Sequence, residues 1–571
     1  MKGAPQRRSL GIIAASLLSL FAVGWMLENS GRFAGAVSAL REQTVPSYLL
    51  RYGATGEILR TEGYVEPVWN DGRYPRTKGA GAPATASVFT KKRQVGETLL
   101  QARSHRADGV KVPLEIGPGE VIPSWPTLAI EVDPASLHDE EIGIVPNWTK
   151  RWEKPAKCAL FIDGEKVFEA DCGIRLHGNT TRDGNIMEGR GLTWRSYRLY
   201  FRSDYGPEQM PPGLLFDPSS GPIRNVVVRG NSFLCSTIAY TIAHKLETAA
   251  PEVRLINLVL NGERVKDYVA TEHISRRQTA SRLGHENFIF YKLRSPDNGD
   301  KARSAFAELR NWVGNRDATS TQRQINKHLD LKAYMRHMFT ILHAGASDWG
   351  EGAVIMDLNE KPARWRWTHW DMDNAYRDPH GEMLLGLTNA EWTKRFLDHA
   401  LVPPRKADLY PRAALFQTLL ETDWFPMVFA KLSQDILNHE IPPQFLESIQ
   451  DHYAQLGKLY GSSKGPTRLV RQRLEERPMI IRADLREKLG LGQPYDVSVT
   501  GLPDRYLRID GYAYSSGYSG WHFPDWPVVV EVPARERAGF SHWIVNGQRR
   551  EGVRLELHPD GATQVEAVFE Q

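Results

Sequence analysis

The chain has 571 residues and a mass of 64.6 kDa, too long for one small domain, so a large central domain with smaller flanking ones is expected. Hydrophobic residues at 41% and charged residues at 25% exclude a disordered or fibrous chain. Lys plus Arg is 72 against 68 for Asp plus Glu, a net charge of only +4, which argues against a dedicated nucleic-acid binder that must displace counterions from phosphates; three cysteines with no Cys-x-x-Cys pair argue against a disulfide scaffold and a structural zinc site.

Met1 to Arg8 carries Lys2, Arg7 and Arg8 and no acid, and Leu10 to Met26 then runs without a charge. As a helix this run reaches roughly 25 Å, enough to cross a bilayer core, with its basic flank in the cytoplasm and the rest of the chain outside. A cleaved signal peptide is the competing reading, but the nearest small-residue site, Val37-Ser38-Ala39, lies well past Met26. The expectation is therefore an uncleaved signal anchor over 1–27 and a bulk that is extracytoplasmic, in the periplasm or at the cell surface. Residues 28–125 read as a β-rich and linker region, with Arg73 to Ser87 basic and then small and Pro/Gly-rich.

A central domain is expected over 126–490. Its first part holds short β-patterned runs: LAIEVD, CALFID, GIRLHG, SYRLYF, NVVVRG, INLVLNG and DYVATEHI, several separated by Asp-Gly or Asn-Gly turns. A helix about Phe233 to Glu247 interrupts them. Cys158 and Cys172 flank a hairpin turning at Asp163-Gly164; they could pair in an exported chain or remain two buried thiols. From Lys301 the pattern is mostly helical, with candidates near 322–344, 412–421, 427–439, 443–460 and 466–488, the last kinked at Pro478. A strand pair, AVIMDL and WRWTHWDMD, lies inside that helical zone. Residues 495–571 return to short β-runs rich in Tyr and Trp and form a small β domain.

A β-rich lobe followed by an α-rich lobe, with acids on a strand pair early in the second, is the layout of a two-lobed phosphotransferase with nucleotide in the cleft. The densest acids are Asp348, in a loop after a helix, and Asp371 and Asp373, closing the strand pair. In phosphoryl transfer one carboxylate orients or deprotonates the attacking hydroxyl while others hold Mg²⁺ across the phosphates. Each has a plain structural reading too: Asp348 as a turn residue, and Asp371 and Asp373 as alternating strand positions of which one faces water. A second constellation, Gly173 to Arg182, runs a strand into a turn with Asn179, Thr180 and Thr181, whose amides and hydroxyls suit phosphate oxygens. The return strand holds Trp194-Arg195-Ser196-Tyr197-Arg198, a source of a cation for the opposite wall.

These segments, with "YVATEHI", "FYKL", "GASDW" and "WTHWDMDNAYR" in that order, resemble the CotH kinase family over about residues 125 to 480. The resemblance implies an atypical protein-kinase-like fold and a secreted or surface-associated kinase that phosphorylates serine using ATP and a divalent metal, Mg²⁺ or Mn²⁺. It places Asp348 at the catalytic-loop aspartate and Asp371 at the metal-binding aspartate, with Asp373 beside it. It aligns Arg182 with the Arg ending the phosphate-side turn, Glu272 with an acid near the lobe junction that touches nucleotide, and Lys292 with a family lysine. Two departures stand out. Arg195 occupies the place of the ATP-binding lysine, and no asparagine follows Asp348, although Glu351 is near.

The expectation is an α+β chain with a two-lobed atypical protein-kinase-like fold, an N-terminal membrane helix and a small C-terminal all-β module. The leading function is an envelope-anchored kinase transferring the γ-phosphate of ATP to Ser/Thr hydroxyls of an exported protein or a surface polymer. The alternatives are a pseudokinase serving as a surface binding protein, favoured by the two departures, and a nucleotide-sugar transferase using the Asp371-Met372-Asp373 triplet. In the C-terminal module, Tyr512, Tyr514, Tyr518, Trp521 and Trp526 either fill a core or stack on sugar rings.

Overall fold

A computed structural model of the chain describes residues 105–107, 110–112, 125–178, 181, 195–230, 233–293, 295, 297–315, 322–346, 352–376, 411–450, 466–501, 505–514 and 517–570. The expected membrane helix and the Arg73–Ser87 linker lie outside these residues. Among the described residues, no helix is long and apolar enough to cross a membrane. A small hairpin, β1 (His105–Ala107) with β2 (Val110–Val112), precedes the main body.

The seven β-patterned runs form seven strands: β3 (Thr127–Glu131), β4 (Lys154–Ile162), β5 (Glu165–His177), β6 (Ser196–Tyr200), β7 (Asn225–Arg229), β8 (Val253–Leu260) and β9 (Glu263–Glu272). They close into a barrel in the order β3-β4-β5-β6-β7-β9-β8, with β3 and β8 parallel at the seam. Side chains alternate across a strand, and here the alternation separates an apolar interior from a polar exterior. Ile174, Leu176, Tyr197, Leu199, Val226, Val228, Tyr268 and Ala270 share one buried core with Leu128, Leu160 and Leu258. Arg175, His177, Arg198 and Arg229 stand on the opposite parity of the same strands.

Two hairpins use the turn chemistry their sequences offer. Asp163-Gly164 and Asn261-Gly262 all have positive φ, at 52°, 81°, 51° and 82°, the backbone of a two-residue turn whose twist matches the flanking strands. The Asn261 Oδ1 also accepts from the Val132 amide at 2.8 Å, tying that turn to β3. Cys158 and Cys172 form a disulfide between β4 and β5, which settles the choice left open by the sequence. Cys235 is buried and is not part of a disulfide.

The α-rich part packs Phe233–Lys245, Leu331–Ala344, Pro411–Leu420, Phe425–Asp435 and Pro466–Leu489 around a second core containing Tyr240, Phe339, Phe416, Phe429 and Leu474. The helix expected over 322–344 is two helices, Gln322–His328 and Leu331–Ala344. Asp330 breaks it by capping the second, accepting from the Ala333 amide at 3.1 Å. Pro478 lies inside the last helix. The expected strand pair is β11 (Ala353–Asp357) and β12 (Trp365–Trp367), joined by β10 (Phe288–Lys292) into a three-stranded sheet. Phe288, Phe290 and Ala353 of that sheet pack with Trp370 onto Val227 of the barrel exterior, so the sheet meets the face that carries the basic residues.

The C-terminal runs form strands β13–β21 over residues 495–569, in one five-stranded and one four-stranded sheet around Val497, Val528, Val530, Trp543 and Val565. Tyr512, Tyr518 and Trp526 are buried and Trp521 is 39% exposed. Phe523 and Trp526 join the core of the helical part, so most of these aromatics serve packing rather than an open binding face.

Candidate active site

Arg229 ends β7 on the exterior parity, nearly buried, and reaches across to the segment after β12. Its Nη2 donates to Asp371 Oδ1 at 2.9 Å and also to Asp373 Oδ2. Strand β12 stops at Trp367, so Asp371 and Asp373 do not alternate along a strand as the pattern suggested. Asp371 adopts the left-handed conformation, φ 56° and ψ 47°, and starts a 3₁₀ turn over Met372–Asn374. That turn brings both carboxylates to one guanidinium, where an extended strand would send one away. Left-handed backbone in a non-glycine residue is costly and persists where its surroundings fix it, often at functional sites. Burial opposes the charge on Arg229, but Asp373 and Asp371 outweigh it and raise its pKa. The Asp371 side chain is 33% exposed and that of Asp373 18%. The group carries two negative charges against one positive, and Asp371 keeps an edge open to solvent.

Beside it the barrel exterior is basic. His177 pairs with Ser196 and Arg175 with Arg198 across β5 and β6, while on the other side of β6 Arg229 follows Val228, the partner of Tyr197. Arg198 Nη2 donates to His273 Nδ1 at 3.2 Å, which makes that nitrogen an acceptor and His273 neutral. Burial, then the positive charges of Arg198, Lys292, His177 and Arg175, hold the His273 pKa well below its usual value. His177 is lowered in the same way, by burial and then by Arg229, Arg198, Lys292 and Arg175. Burial lowers Arg198 to about 10, with Arg175 and Arg202 adding to the effect. Ser196 Oγ, Thr271 Oγ1, Tyr200 Oη and Arg198 Nε, all on this face, are buried without a hydrogen-bond partner. Buried polar groups are normally paired, so a face with several orphan groups and several cations, where Glu153 acts on Arg198 and Asp371 and Asp373 engage Arg229, fits a polyanion. A nucleotide triphosphate has that chemistry, and the open edge of Asp371 fits a divalent metal held against it.

The structure distributes the sequence-derived candidates unevenly. Asp371, Asp373 and Lys292 come to this cleft; the Lys292 ammonium lies 6.0 Å over the Trp370 ring. Arg195 goes elsewhere: its charge interacts with Tyr197 and Tyr268 of the barrel interior, and its carbonyl accepts from the Tyr268 hydroxyl at 2.6 Å. Arg198, three residues on and of opposite parity, is the cation of that strand beside His273. Thr181 is buried, and its hydroxyl donates to the His177 carbonyl at 2.8 Å, closing the turn after β5. Glu272 is 2% exposed; both its oxygens are held by Arg282, and Oε2 also accepts from the Glu252 amide at 2.9 Å. Asp348, Asn179, Thr180 and Arg182 lie outside the described residues. The sequence named Arg198 and His177 only within their segments, favouring Arg195 as the cation, and gave His273 no role. Strand parity was the available signal, since all three share a face with Arg229.

Two surface hollows lie away from this cleft, one lined by Glu131, Asp133, Lys157 and Asp171 and the other by Arg202, Arg224, Arg277 and Glu286. Neither contains Asp371, Asp373 or Arg198, so neither is taken as the active site.

No curated protein matches the chain. A family model described as CotH kinase protein matches residues 225–470, a span that opens on β7 and holds Arg229, Glu272, Lys292, Asp371 and Asp373. The chain therefore carries, over residues 225–470, a domain of the CotH kinase protein family.

Proposed function

We propose that this chain is an envelope-anchored phosphotransferase with a two-lobed kinase-like domain, moving the γ-phosphoryl group of ATP to a hydroxyl of an exported protein or surface polymer. The observation that carries the reading is the meeting of the Arg229–Asp371–Asp373 group with a basic barrel face that has orphan hydroxyls. Arg198 and Lys292 orient the phosphates, and neutral His177 and His273 offer ring N–H donors without adding charge. Asp371 and Asp373 would hold a divalent metal, which supplies charge neutralisation across the phosphates. Asp348 accepts the proton of the attacking hydroxyl as its oxygen bonds to phosphorus and ADP leaves. Arg229 keeps the two aspartates together.

A second reading, nucleotide binding without transfer, draws support from Arg229 itself, since its permanent charge already occupies both metal-site carboxylates. Incubation of the full-length chain with γ-labelled ATP and Mn²⁺ or Mg²⁺ separates the two. Label on the protein or an added acceptor, lost in Asp348→Ala and Asp371→Ala, is the expected result. A thermal shift with ATP but no label would establish the second reading, because a ligand that binds only the folded state stabilises it whether or not it reacts. Neither label nor shift would overturn both.

A further inference from the structure

A second cluster of ionisable side chains sits where the helical part meets the C-terminal module, outside the cleft described above. Asp435 ends the Phe425–Asp435 helix, and the chain continues as a π-helical turn over Ile436–Glu440 that contains His439. Such turns are uncommon and concentrate at functional sites. Asp510 comes from the module, in the left-handed turn between β14 (Leu507–Ile509) and β15 (Tyr512–Tyr514). One ligand-capable atom from each of Asp435, His439 and Asp510 lies within 4.8 Å of the other two.

The free valences of this set point inward. Tyr514 Oη is 2.6 Å from His439 Nδ1, which leaves Nε2 as the open nitrogen. The imidazole is stacked between Tyr512 at 4.3 Å and Tyr518 at 5.2 Å. Its side chain is fully buried, yet Nε2 has no hydrogen-bond partner. Asp510 Oδ1 accepts from the Val529 amide at 2.8 Å, while Oδ2 is buried and also lacks a hydrogen-bond partner. Around Oδ2 stand Lys431 Nζ at 3.5 Å, His522 Nδ1 at 3.7 Å and His439 Nε2 at 3.8 Å, too far for hydrogen bonds and close enough to converge on an ion. Lys431 also contacts Asp435 at 2.6 Å, so an ammonium now balances the pair of acids.

We infer that Asp435, His439 and Asp510 form a binding site for a borderline divalent cation such as Zn²⁺, clamping the C-terminal module to the kinase-family domain. Imidazole with carboxylates suits zinc, whereas Mg²⁺ and Ca²⁺ favour oxygen alone. The cysteine count argued against a structural zinc site, but that argument concerns thiolate ligands, and this set uses none. Zinc bonds of about 2.0–2.2 Å place tetrahedral ligand atoms roughly 3.4 Å apart, so the side chains close by about an ångström and Lys431 swings off Asp435. The Tyr514 hydroxyl on His439 Nδ1 supplies the outer hydrogen bond that orients a metal-bound imidazole. His522 Nδ1, now approached by Gln434 Nε2 at 3.4 Å, is the nearest further nitrogen and would have to leave that contact to serve as a fourth ligand.

The test uses the full-length chain, dialysed against zinc chloride and then metal-free buffer, with bound zinc measured by mass spectrometry and the melting temperature recorded. Asp371→Ala removes the catalytic metal position and should retain one zinc per chain. His439→Gln and Asp510→Asn, each in the Asp371→Ala background, should lose it, along with a zinc-dependent rise in melting temperature of roughly 4 °C or more. Lys431→Met removes the competing ammonium and should lower the zinc dissociation constant on the order of tenfold. The inference is overturned if Asp371→Ala retains no zinc, or if the His439→Gln and Asp510→Asn chains retain as much. It is equally overturned if Lys431→Met abolishes binding while circular dichroism shows the fold intact.

Discussion

Two arginine–carboxylate groups stand at the ends of neighbouring barrel strands, and they are built differently. Arg282 meets Glu272 fork to fork, with Nε on Oε1 at 2.9 Å and Nη2 on Oε2, and the Glu252 amide completes the set. One guanidinium grips one carboxylate through two nitrogens, with Glu252 and Asp217 also acting on Arg282, and Glu272 is sealed from water. Arg229 instead holds Asp371 and Asp373 through the single nitrogen Nη2. Its Nε is buried without a partner, the group carries an excess negative charge, and Asp371 is a third exposed. The first arrangement has nothing left to offer a ligand and acts as a lock. The second retains charge and an open edge. Residue type does not distinguish them; hydrogen-bond geometry and exposure do.

The sharpest way to break this comparison is to remove one charged partner from each group. Asp371→Ala should lower phosphoryl transfer on the order of 10³-fold or more while leaving the melting temperature nearly unchanged; a large loss of stability with retained transfer would reverse the assignments. Arg282→Met leaves Glu272 buried and uncompensated and should cost about 3 kcal/mol in urea unfolding, with transfer per folded molecule retained.

A smaller effect separates the two faces of one strand. Arg198→Met should weaken ATP binding by about 10- to 100-fold, the worth of a charge-assisted hydrogen bond, whereas Arg195→Met should change it by less than about 3-fold, measured by titration calorimetry. Equal losses would show that strand parity does not choose the phosphate contact.

The smallest effect is in pH. His273 is held neutral in the folded chain, with its pKa well below 6.5, so the unfolded chain binds the proton first. Its contribution to stability is intact above about pH 6.5 and falls by up to about 1.4 kcal/mol per pH unit below it. The stability difference between wild type and His273→Gln should therefore shift in that direction between pH 7.5 and 5.5. ATP should flatten the slope, because bound phosphates favour the protonated ring.

The order and character of the elements were legible along the chain. Seven β-patterned runs became seven strands, the Asp-Gly and Asn-Gly pairs became left-handed turns, and the acids at 371 and 373 reached the cleft. These features depend on neighbours in sequence: alternation of side chains, positive φ at Asn, Asp and Gly, and helical periodicity. The misplacement of Arg195 shows where local reading stops. It and Arg198 are both cations on a return strand, and only closure of the barrel makes one parity an interior and the other a wall of the cleft. The break at Asp330 was written in an N-cap residue yet hidden within a continuous helical pattern.

The sequence by itself thus determined which segments are strands and helices and which acids and cations are available, because backbone sterics and hydrophobic periodicity act over a few residues. Tertiary structure alone decided the partners. Arg229 lies 142 residues from Asp371, and Arg198 lies 75 residues from His273. His439 and Asp510 come from separate parts of the fold. Whether a buried charge is locked in a pair or held ready for a ligand depends on what folding brings within a few ångströms of it and on how much water remains there.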